Sequence, residues 1–305
     1  MTKLAATAAP DLDLEYLLDS WLRDLRGARK SRHTLRSYEA AVRAFLAYCA
    51  QNDVPAELTK ATVQGWLAAQ SGAETSTARL RLTALKLFAR WLAAEEGFDA
   101  DPITAVKAPK LDQKPVPHLS EDEVRRLLKV CDGPDIRDKR DRAMLVLLAE
   151  SGLRAAELLA LDVTDIDLDA CTLLVRRGKG GKARRIRFSP GAAAAVDKYT
   201  RARRRAVLHP ATGPLWVSNH GRLTYSGLVQ TLQARAQAAG VEGFHAHRLR
   251  HTAAVRWLNS GGSEAGLMAH AGWSNRSMID RYVKSAAEQI AAEEFDRLNL
   301  GLVDL

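Results

Sequence analysis

Cysteine and aromatic residues are scarce in this 305-residue chain, and it has no long apolar run. Cys49, Cys131 and Cys171 lie far apart, with no CxxC pair. That excludes a disulfide framework and a cysteine zinc site, and it fits a reducing compartment. Aromatics make up only 6% of the residues while alanine and leucine abound, which favours a mostly helical fold. No stretch approaches the roughly 20 apolar residues of a membrane span. The opening MTKLAATAAP has one lysine and no apolar core, so it is a poor signal peptide. A soluble, cytoplasmic protein is expected. A nucleotide-binding loop is also missing. The run GKGGK, Gly178 to Lys182, lacks the spacing of a Walker A motif, and Ala183 stands where Ser or Thr is required.

What is abundant is positive charge. The chain has a net charge of +9 and a sequence pI of about 9.6. Such a surplus points to a polyanionic partner, nucleic acid ahead of membrane. Twelve Lys/Arg and one acidic residue, Asp197, lie between Arg176 and Arg205. Concentrated in this way beside a basic linker, they read as a surface for a phosphate backbone, with Arg176, Arg177, Lys182, Arg184 and Arg185 as candidate contacts.

Hydrophobic spacing divides the chain in two. Helical periodicity runs from Leu12 to about Val106, with helices expected at Leu14–Leu25, after Thr34 as N-cap, at Lys60–Gln70 and at about Thr75–Ala94. Residues 1–106 are therefore expected to form a small helical bundle. Residues 107–118 follow as a proline-studded linker carrying Lys107, Lys110 and Lys114, further candidate contacts to DNA. Ser120 with Glu123 forms a capping box, which opens a second domain over 119–305. That domain is expected to be mixed. Helices fall at 120–131, 138–151, 190–206 and 224–239, and nearly continuously from 247 to 297. Short strands fit VTDIDL, CTLLVRR and ARRIRF, the last two forming a hairpin through GKGGK. The fold class is mainly α with a small antiparallel β element.

Four features of this second domain carry chemistry. In SGLRAAEL, Arg154 opens a helix and Glu157 lies three residues on, so the carboxylate can fix the guanidinium. At the hairpin tip, Lys179 is a point charge and a possible proton donor. In AHRLRHTAAVRWL, His247, Arg250 and His251 share a helix face with Ala254, Trp257 and Leu258, while Arg248 falls outside it and can be solvated. An arginine heading inward needs an anion. His247 and His251 are four residues apart, but no HExxH glutamate or third ligand accompanies them, and the flanking arginines repel a dication, so no metal site is expected. In AGWSNRSMIDRYVKSA, Ser274 can cap a helix whose Met278, Ile279 and Tyr282 share a face, with Trp273 packed beneath Tyr282.

Taken in order, Arg154, Lys179, the HRLRH box, Trp273 and Tyr282 give a chain that resembles the tyrosine recombinases, the phage integrase family, from about Leu14 to Asn299. SGLRAAEL is similar to the family's TGLRxSEL, HRLRH to its HxLRH, and AGW to the LGH-like step nine residues before the nucleophile. Trp273 stands where many members have histidine, and Ala156 where a small hydroxyl residue is usual.

The resemblance implies a helical core-binding domain and a mixed α/β catalytic domain that close on DNA. It implies Tyr282 as nucleophile, Arg154 and Arg250 on the scissile phosphate, and Lys179 as acid to the leaving 5′-oxygen. His247 and Trp273 complete the catalytic set, and Glu157 and His251 support it. A 3′-phosphotyrosyl intermediate would conserve the bond energy and resolve through a Holliday junction, so no cofactor is implied. The implied partners are double-stranded recombination sites, a homotetramer or a related recombinase, and an accessory factor. The last helix, about Ala286 to Leu298, is a candidate tail for a neighbouring subunit. A compact Xer-like chromosome or plasmid dimer resolvase is one form, because the helical domain begins almost at once and leaves no room for an arm-binding domain. A type IB topoisomerase and a silent DNA-binding protein of the same fold are the rivals.

Overall fold

The computed structural model describes residues 12–110, 117–176, 183–207, 211–273 and 275–298. The chain divides into two compact units, Met1–Gln113 and Lys114–Leu305.

The first unit is built from helices α1 (Leu14–Gly27), α2 (Arg32–Gln51), α3 (Lys60–Ala69), α4 (Thr75–Glu96) and the single turn α5 (Asp101–Thr104). Side-chain caps fix where three of them start. The Asp13 carboxylate accepts from the backbone of Glu15 and Tyr16, Ser31 from Thr34, and Thr59 from Thr62. Ser31, and not Thr34, is therefore the cap of α2: Thr34 lies inside the first turn and donates to it. Apolar stripes on α1, α2 and α4 bury Leu18, Trp21, Val42, Phe45, Leu85, Phe88 and Leu92 together. Trp21 stacks on Tyr38, with ring centroids 5.7 Å apart. The segment after α4 is tied back to this unit. Lys86 donates to the carbonyls of Thr104 and Val106, and Arg79 to that of Pro109. Lys107 and Lys110 stay exposed, and Lys114 lies outside the described residues.

The second unit opens with α6 (Glu121–Lys129), capped reciprocally by Ser120 and Glu123 as the sequence predicts. Next come α7 (Ile136–Ser151) and the short α8 (Ala155–Ala160). A sheet with strand order β1 (Ile166–Asp167), β2 (Thr172–Val175), β3 (Arg184–Arg187) follows, antiparallel throughout, with Leu173 opposite Ile186. Half of the expected strand VTDIDL is a 3-10 turn over Val163–Asp165, and only two residues are left to pair. Helix α9 (Pro190–Arg204) packs on α7. A two-residue hairpin, β4 (Val217–Ser218) and β5 (Gly221–Arg222), comes next; strands this short carry no sequence period. Helices α10 (Tyr225–Ala238), α11 (Ala246–Asn259), α12 (Glu264–Ala271) and α13 (Ser277–Leu298) complete it.

Helix α7 is the central element and buries Met144, Leu145, Leu147 and Leu148 on successive faces. The helical run expected from 247 to 297 is cut twice. The first break is at Gly261 and the second at Gly272, both with positive φ. The tail expected from Ala286 is continuous with the helix that begins at Ser277, so Tyr282 and the last turn share one rod. A second, smaller core gathers Ala254, Leu258, Leu267, Trp273, Ile279 and Tyr282 from α11, α12 and α13. Met278 does not join it, because its side chain faces solvent.

Candidate active site

Four segments of the second unit converge on one spot: the α7–α8 junction, strand β3, helix α11 and the turn from α12 to α13. Helices α7 and α12 each end on a left-handed glycine, Gly152 at φ +60° and Gly272 at φ +65°. A glycine there lets the chain turn while presenting the last carbonyls of the helix, groups with no partner inside it.

Arginines take those carbonyls. Arg250, only 2% exposed, donates from Nη1 to the Gly152 carbonyl and from Nη2 to that of Ala271 at 2.9 Å. Arg184 donates from Nε to the His270 carbonyl at 3.2 Å and from Nη2 to that of Ala271 at 3.5 Å. Arg154 reaches the Gly272 carbonyl at 3.5 Å. The C-terminal end of α12, the negative end of its dipole, is thus ringed by three guanidinium groups.

One carboxylate sits among them. Glu157 binds Arg184 through both oxygens, at 3.1 and 2.9 Å. It also accepts from Arg154 Nη1 at 2.8 Å and from the Arg154 backbone N–H at 3.0 Å. The i,i+3 contact between Arg154 and Glu157 is therefore formed. Burial opposes the Glu157 charge, but the hydrogen bonds from Arg184 and the Arg154 backbone outweigh it and hold the carboxyl below its usual range. Burial, reinforced by the charge of Arg154, pulls the Arg250 guanidinium down to about 10, still cationic at neutral pH.

Tyr282, 3% exposed, lies against this cluster. Its ring stacks on Trp273, with centroids 5.1 Å apart and planes 14° apart. Arg250 stands 5.1 Å over the other aromatic, Trp273. The Tyr282 hydroxyl shares a short hydrogen bond with Nδ1 of His251. The His251 ring in turn meets that of His247, edge to face at 4.4 Å. His247 is open to solvent on one side. Burial of its other sides, then Arg250, His245 and Arg154, pull its pKa below the ordinary imidazole value. The Trp273 Nε1–H is buried and has no hydrogen-bond partner among the described residues.

Arg154, Glu157, His247, Arg250, His251, Trp273 and Tyr282 are thus brought together. Two sequence expectations need correction. Arg184 does not present its charge to the surface as a backbone contact. Its side chain is 13% exposed and is committed to Glu157 and α12, because β3 alternates and turns Arg184 inward with Ile186. Arg248 is not solvated either. It donates to the carbonyls of Glu242 and His118 at 2.7 and 3.0 Å and faces Glu123, joining the start of α11 to that of α6. Arg176 and Arg185 are exposed, although Arg176 is already paired with Asp165. Arg177, Lys179 and Lys182 lie outside the described residues, as does Ser274. Sequence reasoning gave His251 only a supporting place; its contact with Tyr282 joins two helices and has no local signature.

A buried tyrosine hydroxyl on an imidazole, beside arginines that outnumber their carboxylate, is a site suited to a tyrosine-mediated attack on a phosphate ester. Residues 117–289 match the phage integrase family, and residues 18–96 match its N-terminal SAM-like domain. A tyrosine recombinase XerD from Oceanobacillus iheyensis is 31% identical over 81% of this chain and 86% of its own length. The crystal structure of XerH site-specific recombinase bound to palindromic difH superposes with a TM-score of 0.72. It is 17% identical, and the match covers 91% of this chain and 83% of that one. That of a lambda integrase tetramer bound to a Holliday junction gives 0.67 at 18% identity, covering 87% and 78%. The chain belongs to the phage integrase family of tyrosine recombinases, enzymes that transfer DNA strands. It is a site-specific recombinase of that family.

Proposed function

We propose that the chain cuts and rejoins duplex DNA at a specific site through Tyr282, in the manner of the Xer-type relatives. The observation that carries this is the Tyr282 hydroxyl held on His251 Nδ1, within the cluster formed by Arg154, Arg250 and Trp273.

A phenol with a pKa near 10 is a poor nucleophile at neutral pH. With Nδ1 unprotonated, His251 accepts the phenolic proton as Tyr282 Oη bonds to phosphorus. The P–O5′ bond breaks as that one forms, and Lys179 delivers a proton to the departing 5′-oxygen. Negative charge builds on the non-bridging oxygens, where Arg154, Arg250, His247 and the Trp273 Nε1–H donate. Arg154 suits this role: its side chain is 28% exposed and keeps donors not spent on Glu157. The product is a 3′-phosphotyrosine and a free 5′-hydroxyl. Attack by the 5′-hydroxyl of a partner strand reverses each step without outside energy, so two rounds pass through a Holliday junction.

The working assembly is an oligomer on DNA, and the tetramer of the lambda integrase neighbour is its pattern. Exposed Phe295 and Leu298 at the end of α13 would meet the adjoining subunit. Lys107, Lys110, Lys114, Arg176, Arg177, Lys182 and Arg185 supply backbone contacts. The place of action is the cytoplasm, with an accessory factor setting direction. The alternative role, an Xer-like resolvase of chromosome or plasmid dimers, is equally consistent with likeness to the XerD relative.

Covalent capture tests this. Wild-type chain and Tyr282→Phe are mixed with fragmented host DNA and quenched with denaturant, and the attached DNA is sequenced. Discrete sites attached to wild type only are expected, and their genomic position separates dimer resolution from integration. Equal non-covalent binding by both proteins with no adduct would sink the reading.

A further inference from the structure

We propose that Arg184 is a positioning residue for strand cleavage: it holds the Glu157 carboxylate so that the charge of Arg154 stays available to the scissile phosphate. This rests on the role given to Arg154 above.

The geometry separates Arg184 from the two arginines beside it. Its Nε, its Nη1 and both hydrogens of Nη2 are engaged, by Glu157 and by the carbonyls of His270 and Ala271. A guanidinium has five N–H groups, so little is left for a ligand. Its guanidinium also packs closely against Gly272. A Cβ built there would stand 2.8 Å from both Cζ and Nη1 of Arg184, a clash that adds to the strain of a left-handed φ. Arg184 is thus built into the frame. Arg154 shares the same carboxylate through one side-chain contact and remains partly open.

Electrostatics gives this arrangement a purpose. Arg154, Arg184 and Arg250 crowd one site, and Glu157 is the carboxylate shared by two of them. A fork-to-fork pair, as Arg184 makes with Glu157, is a strong and directional way to satisfy a carboxylate. With Arg184 in place, Glu157 is neutralised by a residue that never meets substrate. Without it, the carboxylate can swing fully onto Arg154, form the same two-pronged pair there, and compete with the phosphate. Glu157 is only 7% exposed, so water cannot take over the role of Arg184. Strand β3 follows the segment containing Lys179 and the turn after Gly272 carries Trp273, so the anchor also ties these two elements to Arg154.

The test uses the full chain and a nicked duplex bearing a site captured by wild type. Arg184→Ala is expected to lower single-turnover capture by about 10²-fold, with Arg184→Lys intermediate because it supplies charge without the fork. DNA affinity should change by less than about threefold, and its slope against log salt should not change. A phosphate contact, in contrast, would reduce that slope by about 0.9. In a Glu157→Gln background, loss of Arg184 should add less than about threefold, because the two residues act as one unit. Should Arg184→Ala fail to fold, Glu157→Gln with Arg184→Gln removes both charges at near-constant volume and enters the same comparison. A second measurement needs no DNA: 13C titration of the Glu157 carboxyl should move upward in Arg184→Gln. Wild-type capture by Arg184→Ala, a reduced salt slope, or an unmoved Glu157 titration would each overturn the proposal. Absence of capture by wild type instead refutes the recombinase reading, while the carboxyl titration still decides the pairing.

Discussion

Two clusters of buried and half-buried charge in the second unit, at opposite ends of α7, are balanced differently. At the start of α7, Arg140 and Arg235 meet Asp138 and Asp141 in a closed set: Arg140 binds Asp141 at 2.8 Å, and Arg235 binds Asp138 at 2.7 Å and Asp141 at 2.8 Å. Spare donors go to the carbonyls of Val217 and Val130. Cations and anions match, and nothing is left over. At the far end of α7, three arginines surround one glutamate, which binds Arg154 and Arg184 while Arg250 is held by backbone carbonyls. The first arrangement holds helices together; in the function proposed above, the second receives the scissile phosphate. Buried charge without a counter-charge is costly, and an anionic ligand at the second cluster would offset that cost.

The largest expected contrast is between Tyr282→Phe and any change in the closed set. Removing the hydroxyl should abolish covalent capture while leaving Tm within about 2 °C, since the ring still stacks on Trp273. Residual adduct in Tyr282→Phe, seen after denaturing electrophoresis, would place the nucleophile elsewhere. Asp141→Ala should do the reverse. It strands the buried Arg140 and takes one of two carboxylates from Arg235, and is expected to cost about 3–5 kcal/mol of stability, read by urea unfolding, with capture per folded molecule unchanged. Arg250→Met lies between: capture should fall by about 10³-fold, yet stability should drop less than in Asp141→Ala, because a surplus charge leaves with the side chain. A larger loss of stability in Arg250→Met would show that the open cluster is also a structural one.

A subtler effect concerns pH. Burial and the arginines hold His247 below its ordinary pKa, so it stays neutral at pH 7 and charges only after the pH has fallen past the usual imidazole range. The folded state thus binds that proton less readily than the unfolded chain, so stability should decline on the acid side. The decline should set in below about 6.5, read by urea unfolding at a series of pH values, and His247→Asn should remove it. Stability that rises on acidification through that range would show that His247 is charged in the resting site.

The two clusters also mark how far sequence reaches. The face shared by His247, Arg250, Ala254 and Leu258, the Arg154–Glu157 pair and the Ser120 capping box are local, set by helix periods and caps, and all are found. Arg184 was legible and obscured: alternation with Ile186 turns it inward, but it sits in a run of twelve basic residues whose composition suggests a surface. A helical wheel knows only one helix and so turns Arg248 to solvent, whereas its partners come from the segments of His118, Glu123 and Glu242. The bond between His251 and Tyr282 had no trace at all, since 31 residues separate its ends.

Helix α13 runs unbroken from Ser277 to Leu298 and carries Tyr282 in its second turn. A hydroxyl mounted this way cannot be re-aimed by a loop; the whole rod must pivot. The arm from Tyr282 to Leu298 is about 24 Å long at 1.5 Å per residue, so a 10° tilt about the tyrosine sweeps the far end through about 4 Å. Moved as a rigid body, the helix would be a lever whose long arm follows where its short arm points.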